Sequence, residues 1–400
     1  MTKNERILLI TLAAINFTNI MDFMIMMPLG PQLMRIFNIT PQQFGIIVSS
    51  YTLSAGISGF FTAFIIDKVD RKKFLQLLYI GFLIGTLLCG LANSYPLLVA
   101  ARVLTGIFGG VLGAIILAIV GDMIAFEKRG QAMGMIMAAF SVASVFGVPF
   151  GLYMATLLDW HAPFIFLAIT ALPISYLIWK FVPDLHGHIN NEKQVSPYQV
   201  IANIITDPNQ RKAITLMIVL MAGHFSIIPF LSPYMVSNVG FSERDLAYIY
   251  LFGGAFTIFT SPRVGKLSDK YGKIKVYSWF VALCAIPVIV LTNIGHTPVW
   301  AALIVSSLFF ILSAGRFIPA QAIVTATVKP ESRGSFMSIS SSMQQLTAGA
   351  ASYLAGFVIT KDPQTGVLSN YNLVGIFSVL ATLSTIMLIR RIKSATGETF

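Results

Sequence analysis

The sequence predicts an all-α polytopic membrane protein: twelve transmembrane helices arranged as two pseudo-symmetric six-helix halves. Composition, apolar segments of one recurring length, and a pair of loops that occur twice predict it. Of the 400 residues, 56% are apolar and 11% charged, and mean hydropathy is +0.78. A soluble domain carries about 25% charged residues, so this chain lacks the polar groups to cover a water-facing surface. Disorder is excluded by the same figures, because disordered chains are poor in apolar residues and rich in charge. Two cysteines exclude a disulfide scaffold and a Cys-rich metal site.

Twelve apolar stretches are each long enough to cross about 30 Å of hydrocarbon as a helix. They fall at 7–34, 42–66, 74–92, 97–124, 131–158 and 162–182, then at 214–236, 246–267, 276–294, 299–328, 335–360 and 373–389. The first follows Lys3 and Arg6 as a signal peptide would. It runs well past a signal core of about 7–15 residues and contains Asp22, so it reads as a retained signal-anchor. The expected organisation is a six-helix bundle over 1–182, a linker over 183–212 and a second bundle over 213–400. In the linker, Ser196 is a plausible N-cap and Pro197 fits the first helical position. Val200, Ile201, Ile204 and Ile205 then form one apolar stripe. This is either an amphipathic helix lying on the membrane face or an extension of segment 7.

The net charge of +11 has its cause in topology. Twenty-two of the 27 Lys and Arg fall in the segments that lie on the same side as the termini. Arg35, Arg244 and Lys361 fall on the other side, and Arg102 and Arg316 lie within helices. Positive residues accumulate in cytoplasmic loops, which places both termini in the cytoplasm and the chain in the inner (cytoplasmic) membrane. No nucleic acid is needed to explain the basic charge.

The chain repeats one design. Asp67-Lys68-Val69-Asp70-Arg71-Lys72-Lys73 after segment 2 recurs as Asp269-Lys270-Tyr271-Gly272-Lys273-Ile274-Lys275 after segment 8. Glu127-Lys128-Arg129-Gly130 recurs as Glu331-Ser332-Arg333-Gly334, an offset of 204. Two matching halves are the sequence mark of a transporter built from repeats.

These residues resemble the major facilitator superfamily over essentially the whole chain. Its loop signature, Gly-x-x-x-Asp-Arg-x-Gly-Arg-Arg, appears at 63–72 with Ala63 and Asp70 in place of the two glycines. The second copy keeps Gly265 and Gly272. Within the superfamily the chain is most similar to the twelve-helix drug:proton antiporter branch. The features are Asp22 in Met21-Asp22-Phe23 with Pro28-Leu29, Arg102-x-x-x-Gly106, and Gly147-Val148-Pro149-Phe150-Gly151, followed by Trp160-His161-Ala162-Pro163-Phe164. It departs from the antiporter pattern where Val148 separates Gly147 from Pro149 and Leu152 follows Gly151. The resemblance implies the major facilitator fold and a proton-coupled secondary transporter that exports a small organic solute by rocker-switch alternating access. An uptake symporter or a lipid or lysolipid transporter of the same fold, or a non-transporting receptor or scaffold, are the other readings. The proton gradient takes the place of a cofactor. The expected partners are a small organic solute, protons and the bilayer, without nucleic acid, for a monomer.

Asp22 is the most informative residue. A carboxylate near the centre of a membrane helix costs about 2.5–3.5 kcal/mol and is tolerated chiefly where it faces a cavity or a partner. Its counterpart in the second half is Ser226, so the charge is added to the scaffold. It reads as the proton-coupling group or as a permanently neutral or paired structural Asp. The resemblance sets segments 1 and 4 side by side, which implies Arg102 as its partner; the other reading is an Arg that snorkels or bonds between helices with no role in coupling. Arginine does not titrate, so the switch falls to the carboxylate. Arg316, whose counterpart is Leu112, reads as an anchor for a substrate anion or as a donor to carbonyls freed by Pro319. His224 is either a titrating group or structural. With Gln321 and the soft side chains Phe23, Met26, Phe230 and Tyr234, these are the substrate-cavity candidates.

The resemblance also implies a latch. Asp67 approaches the start of segment 11 at Gly334, Arg71 pairs with Asp122, Asp269 mirrors Asp67, and Asp70 adds a charge that weakens the contact. Gly106, Gly110, Gly147, Pro149 and Gly151 form close-packing faces. No phosphate loop, hydrolytic constellation or metal set is present, so the chain is not expected to be an enzyme.

Overall fold

The computed structural model describes residues 2–62, 64–66, 68–125, 128–184, 197–328 and 333–395. Asp67 of the predicted latch and Ser196 of the predicted cap lie outside them. The first half comprises α1 (Lys3–Ile25), its short continuation α2 (Gly30–Ile36), α3 (Pro41–Thr62), α4 (Arg71–Gly90), α5 (Tyr95–Met123), α6 (Arg129–Val142), α7 (Val148–Leu157) and α8 (Ala162–Phe181). After α9 (Pro197–Thr206), the second half comprises α10 (Pro208–Tyr234), α11 (Leu246–Tyr271), α12 (Lys273–Asn293), α13 (Val299–Ala326), α14 (Arg333–Val358) and α15 (Tyr371–Ile389). With α6 and α7 counted as one span, twelve predicted segments become twelve helical spans. Ten are apolar enough to cross a membrane on hydropathy alone. The other two, α11 and α14, have 26 residues each, about 39 Å of helix. Their mean hydropathy is diluted by Arg263, Lys266, Asp269 and Lys270 in α11 and by serines and glutamines in α14.

Local chemistry sets the ends. Thr2 and Glu5 close a reciprocal capping box at the start of α1: the Glu5 N–H donates to Thr2 Oγ1 at 3.2 Å and the Thr2 N–H to Glu5 Oε2 at 2.7 Å. Between α6 and α7 the helix widens into a π turn at Ala143–Gly147, where the Val148 N–H reaches back to the Ala143 carbonyl. Pro149 follows, and a residue with no N–H breaks the regular ladder at that place. The linker helix α9 is separate from α10: Asp207 caps α10 by accepting from the Asn209 N–H at 2.8 Å, and Pro208 opens it. The alternative of a continuous extension of segment 7 is therefore overturned. Ile201 and Ile204 of α9 pack on the second half, while Tyr198 lies 5.1 Å from the Phe64 ring of the first half.

Asp70 also has a local role that its charge alone does not disclose: its carboxylate accepts from the Lys73 N–H at 2.7 Å and caps α4. Replacing Asp70 by Ala is expected to lower stability by about 1 kcal/mol, read as a fall in the melting temperature of the purified protein.

The packing is asymmetric across the membrane. At the face away from the termini, one cluster unites both halves, with Ile25, Leu29 and Phe44 against Phe230, Met235 and Tyr371. The rings of Phe44 and Phe230 meet edge to face at 6.0 Å, and Arg35 pairs with Glu243 across the same seam. Toward the basic face that carries the termini, the core divides. Leu12, Phe82 and Ile115 belong to a cluster of the first half alone, and Leu216, Tyr277 and Ile323 to one of the second half. The apolar core is thus shared between the halves on one side and divided on the other, while α3 and α14 stay in contact toward the basic side, where a Cβ on Gly59 would meet Ser342 Oγ at 3.0 Å.

Candidate functional site

Four helices of the first half converge on one buried ion pair. Asp22 on α1 and Arg102 on α5 are 0% and 1% exposed, and Arg102 Nη1 donates to Asp22 Oδ2 at 2.7 Å. Thr86 of α4 donates to the second carboxylate oxygen at 3.1 Å. The guanidinium lies over the ring of Tyr51 on α3, 4.5 Å from its centroid, a cation–π contact. The Tyr51 hydroxyl donates in turn to Asn19 Oδ1 at 3.0 Å. Both charges are therefore compensated inside the bundle, as buried charges must be. The pairing legible from Asp22 and Arg102 is present.

Glycines allow this approach. A Cβ on Gly106 falls onto the Tyr51 carbonyl and Ser54 Oγ, and one on Gly109 lies 2.8 Å from both Asn19 Oδ1 and the Tyr51 hydroxyl. Gly110 abuts Ala55, while Gly147 and Gly151 face Met21 and Ile25 of α1. Pro149 sits in the first turn of α7. The expected packing role of Gly106, Gly110, Gly147 and Gly151 thus has definite contacts.

The second half holds a different charge. Arg316 on α13 is 1% exposed, and Arg316 Nη2 lies 3.5 Å from Nδ1 of His224 on α10. The imidazole stacks on Phe309 at 5.9 Å and meets the edges of Phe225 and Phe317 at 5.6 and 5.3 Å. No backbone carbonyl among the described residues accepts from Arg316, which removes the expectation that it holds carbonyls freed by Pro319. A cavity of about 700 Å³ adjoins this pair, lined by Met217, Met221, Phe317, Gln321, Thr325 and Arg333 among others. Ala326 and Arg333 place its mouth on the basic face. Phe317 lines the cavity and touches both members of the pair.

Rings connect the two charged sites across the halves. Tyr51 packs on Phe23 at 5.2 Å, and Phe23 on Phe225 at 6.0 Å. Phe225 in turn meets His224. Of the other cavity candidates, Gln321 lines the cavity, but Met26, Phe230 and Tyr234 lie in the cluster that seals the opposite face. At the basic face, Arg71 Nε donates to Asp122 Oδ2 at 3.0 Å as expected, and Arg71 Nη1 to the Ile66 carbonyl at 3.0 Å. Asp269 lies 3.8 Å from Lys273, and Gly334 is exposed near the start of α14. Thr86, Tyr51 and Asn19 escape sequence reasoning. Within apolar spans a lone Thr, Tyr or Asn carries no signal apart from its neighbours.

The family model for the Major Facilitator Superfamily matches residues 12–352 and 213–398 of the chain. The chain belongs to the major facilitator superfamily. The uncharacterized MFS-type transporter YwfA of Bacillus subtilis (strain 168) is 27% identical over 290 residues, 72% of this chain and 69% of the relative. A probable sugar efflux transporter of Helicobacter pylori (strain 26695) is 22% identical over 218 residues, 54% of each. Among solved structures, a D-xylose–proton symporter superposes with a TM-score of 0.77 at 16% identity, covering 99% of both chains. A bacterial homologue of the human lysosomal transporter Spinster, inward-facing and unoccupied, gives 0.73 at 16% identity, covering 97% of this chain and 95% of that one. At such identity the structures establish the fold alone. This member of the major facilitator superfamily is a multi-pass membrane transporter and not an enzyme.

Proposed function

We propose that this transporter is a proton-coupled exporter of a small organic solute, working by rocker-switch alternating access in the cytoplasmic membrane as a monomer. The observation that carries the reading is the Asp22–Arg102 pair, buried at 2.7 Å with Thr86 on the free oxygen. The positive-inside bias of the loops makes the basic face cytoplasmic, so the open cavity faces inward. In this state the carboxylate is held by Arg102. Adding a proton here strands the guanidinium in the bundle, which is strongly unfavourable, so Asp22 loads only when the halves rock and water reaches it from outside. Return to the inward state re-forms the pair and expels the proton, and the vacant cavity takes up solute. Charge is thereby exchanged for solute with one titrating group. Export over import is supported by the resemblance to the antiporter branch as a whole, although the Gly147–Gly151 stretch departs from its pattern, and by the Helicobacter pylori relatives described as efflux transporters.

The test is solute-driven proton movement in proteoliposomes with an internal pH dye, using drugs, sugars, amino acids and organic acids, native protein beside Asp22→Asn. A solute that dissipates an imposed pH gradient only with the native protein, counter to proton flow, supports the reading. Equal proton flux in Asp22→Asn overturns Asp22 as the coupling group. Solute moving with the protons overturns export in favour of a symporter. No response to any solute moves the weight to lipid transport.

A further inference from the structure

We propose that Arg316 and His224 recognise the acid group of an amphipathic organic acid, a carboxylate carried on an apolar body small enough for the adjoining cavity. The proposal names the substrate class within the transporter reading above, but its binding geometry does not depend on proton coupling.

The argument begins with the contrast between the two intramembrane arginines. Arg102 has its carboxylate within the protein. Arg316 is equally buried and, like Arg102, leaves its Nε without a hydrogen-bond partner, yet among the described residues no carboxylate pairs with it and its hydrogen-bonding neighbour is His224 Nδ1 at 3.5 Å. A guanidinium is always charged, and a buried charge without a counter-ion is among the least favourable features a fold carries. The repeat counterpart Leu112 shows that the scaffold does not require it. The missing element is an anion, and the planar fork of arginine matches a carboxylate with two parallel hydrogen bonds.

His224 completes the site. A guanidinium only donates, so the Nδ1 facing it carries the lone pair, and donor–acceptor complementarity assigns the imidazole proton to Nε2. The ring adds a hydrogen-bond donor and no charge. Phe309, Phe225 and Phe317 enclose it, so a carboxylate arriving here meets a dry, low-dielectric pocket where charge pairing is strong. Phe317 borders both, lining the cavity and lying 5.8 Å from the Arg316 guanidinium carbon.

The cavity fits the rest of such a molecule. About 700 Å³ lies within the range of small-molecule sites, and Met217, Met221, Ile318 and Ala322 give it apolar walls. Among the described residues no Asp or Glu lines it, and Arg333 stands at its mouth. The field therefore draws anions inward and repels cations.

The experiment measures ligand-induced thermal stabilisation of the full-length purified protein with 2-naphthoate against 2-naphthamide, octanoate against octanamide, and lysophosphatidylglycerol. The acids are expected to bind the native protein about tenfold or more tightly than their amides, the scale of one charge-assisted pairing. Arg316→Gln is expected to erase that preference and leave amide binding unchanged. Should Arg316→Gln fail to fold, Arg316→Lys carries the test: it keeps the charge but not the fork, and is expected to weaken the acids several-fold without affecting the amides. Asp22→Asn is expected to keep the acid preference while losing proton-coupled flux, which separates failure of this proposal from failure of the transport reading. Equal binding of acid and amide, no acid binding, or an acid preference that survives in Arg316→Gln overturns it. Lysophosphatidylglycerol as the sole Arg316-dependent ligand overturns the soluble acid in favour of a lipid anion.

Discussion

Replacing Asp22 by Asn is expected to remove all proton-coupled flux and to cost about 3–5 kcal/mol of stability, the penalty for stranding one member of a buried ion pair. The geometry explains why the loss is not confined to function. Arg102 keeps the Tyr51 face but loses the carboxylate on which its Nη1 bond at 2.7 Å ends. Thr86 still finds an amide oxygen, so the deficit is mostly one of charge. The double variant Asp22→Asn with Arg102→Gln removes both charges and is expected to regain much of the stability while remaining uncoupled. Thermal unfolding of native protein, both single variants and the double variant closes the cycle. Additive losses would show that the two residues do not act as a pair.

The second large effect is expected at Gly106. Its missing Cβ is replaced by the Tyr51 carbonyl and Ser54 Oγ, and a backbone carbonyl has no rotamer by which to yield. Gly106→Ala must drive α3 from α5 at the level where Tyr51 covers Arg102. Overpacking of this kind costs typically about 1–3 kcal/mol, and the upper end is expected here, with loss of transport as Tyr51 shifts. Gly113 on the same helix is the control. A Cβ there meets nothing within 4 Å, and Gly113→Ala is expected to stabilise by about 0.5–1 kcal/mol through helix propensity. Melting temperatures of the two variants, measured side by side, separate close packing from a general aversion to larger side chains in α5.

The membrane class, the twelve spans and the repeat were legible because they rest on long apolar runs and on loop charges, which local composition records. Asp22 and Arg102 were legible because an ionised side chain in a membrane helix demands a partner, and each lacks a charged counterpart in the other half. Asp70 stood in plain view as a cap before Arg71, but its charge invited a different reading. What stayed hidden depends on side chains meeting from distant segments. Thr86 and Tyr51 become meaningful only once α3 and α4 are laid against α5. Met26, Phe230 and Tyr234 have the character of pathway residues, yet helix rotation and the closed face bury them in the seal. Gln321 shows the same rule in reverse, since its place beside the cavity depends on α10, α13 and α14 coming together around it.

The row of rings from Tyr51 through Phe23 and Phe225 to His224 places the two arginines at the ends of one continuous contact path across the halves. If a solute at Arg316 changes the proton affinity of Asp22 by some factor, protonation of Asp22 must change solute affinity by the same factor, because coupling free energy is reciprocal. The stoichiometry of exchange is then written in an equilibrium. The slope of log Kd for the solute against pH counts the protons released on binding, in detergent, with no gradient and no membrane to cross.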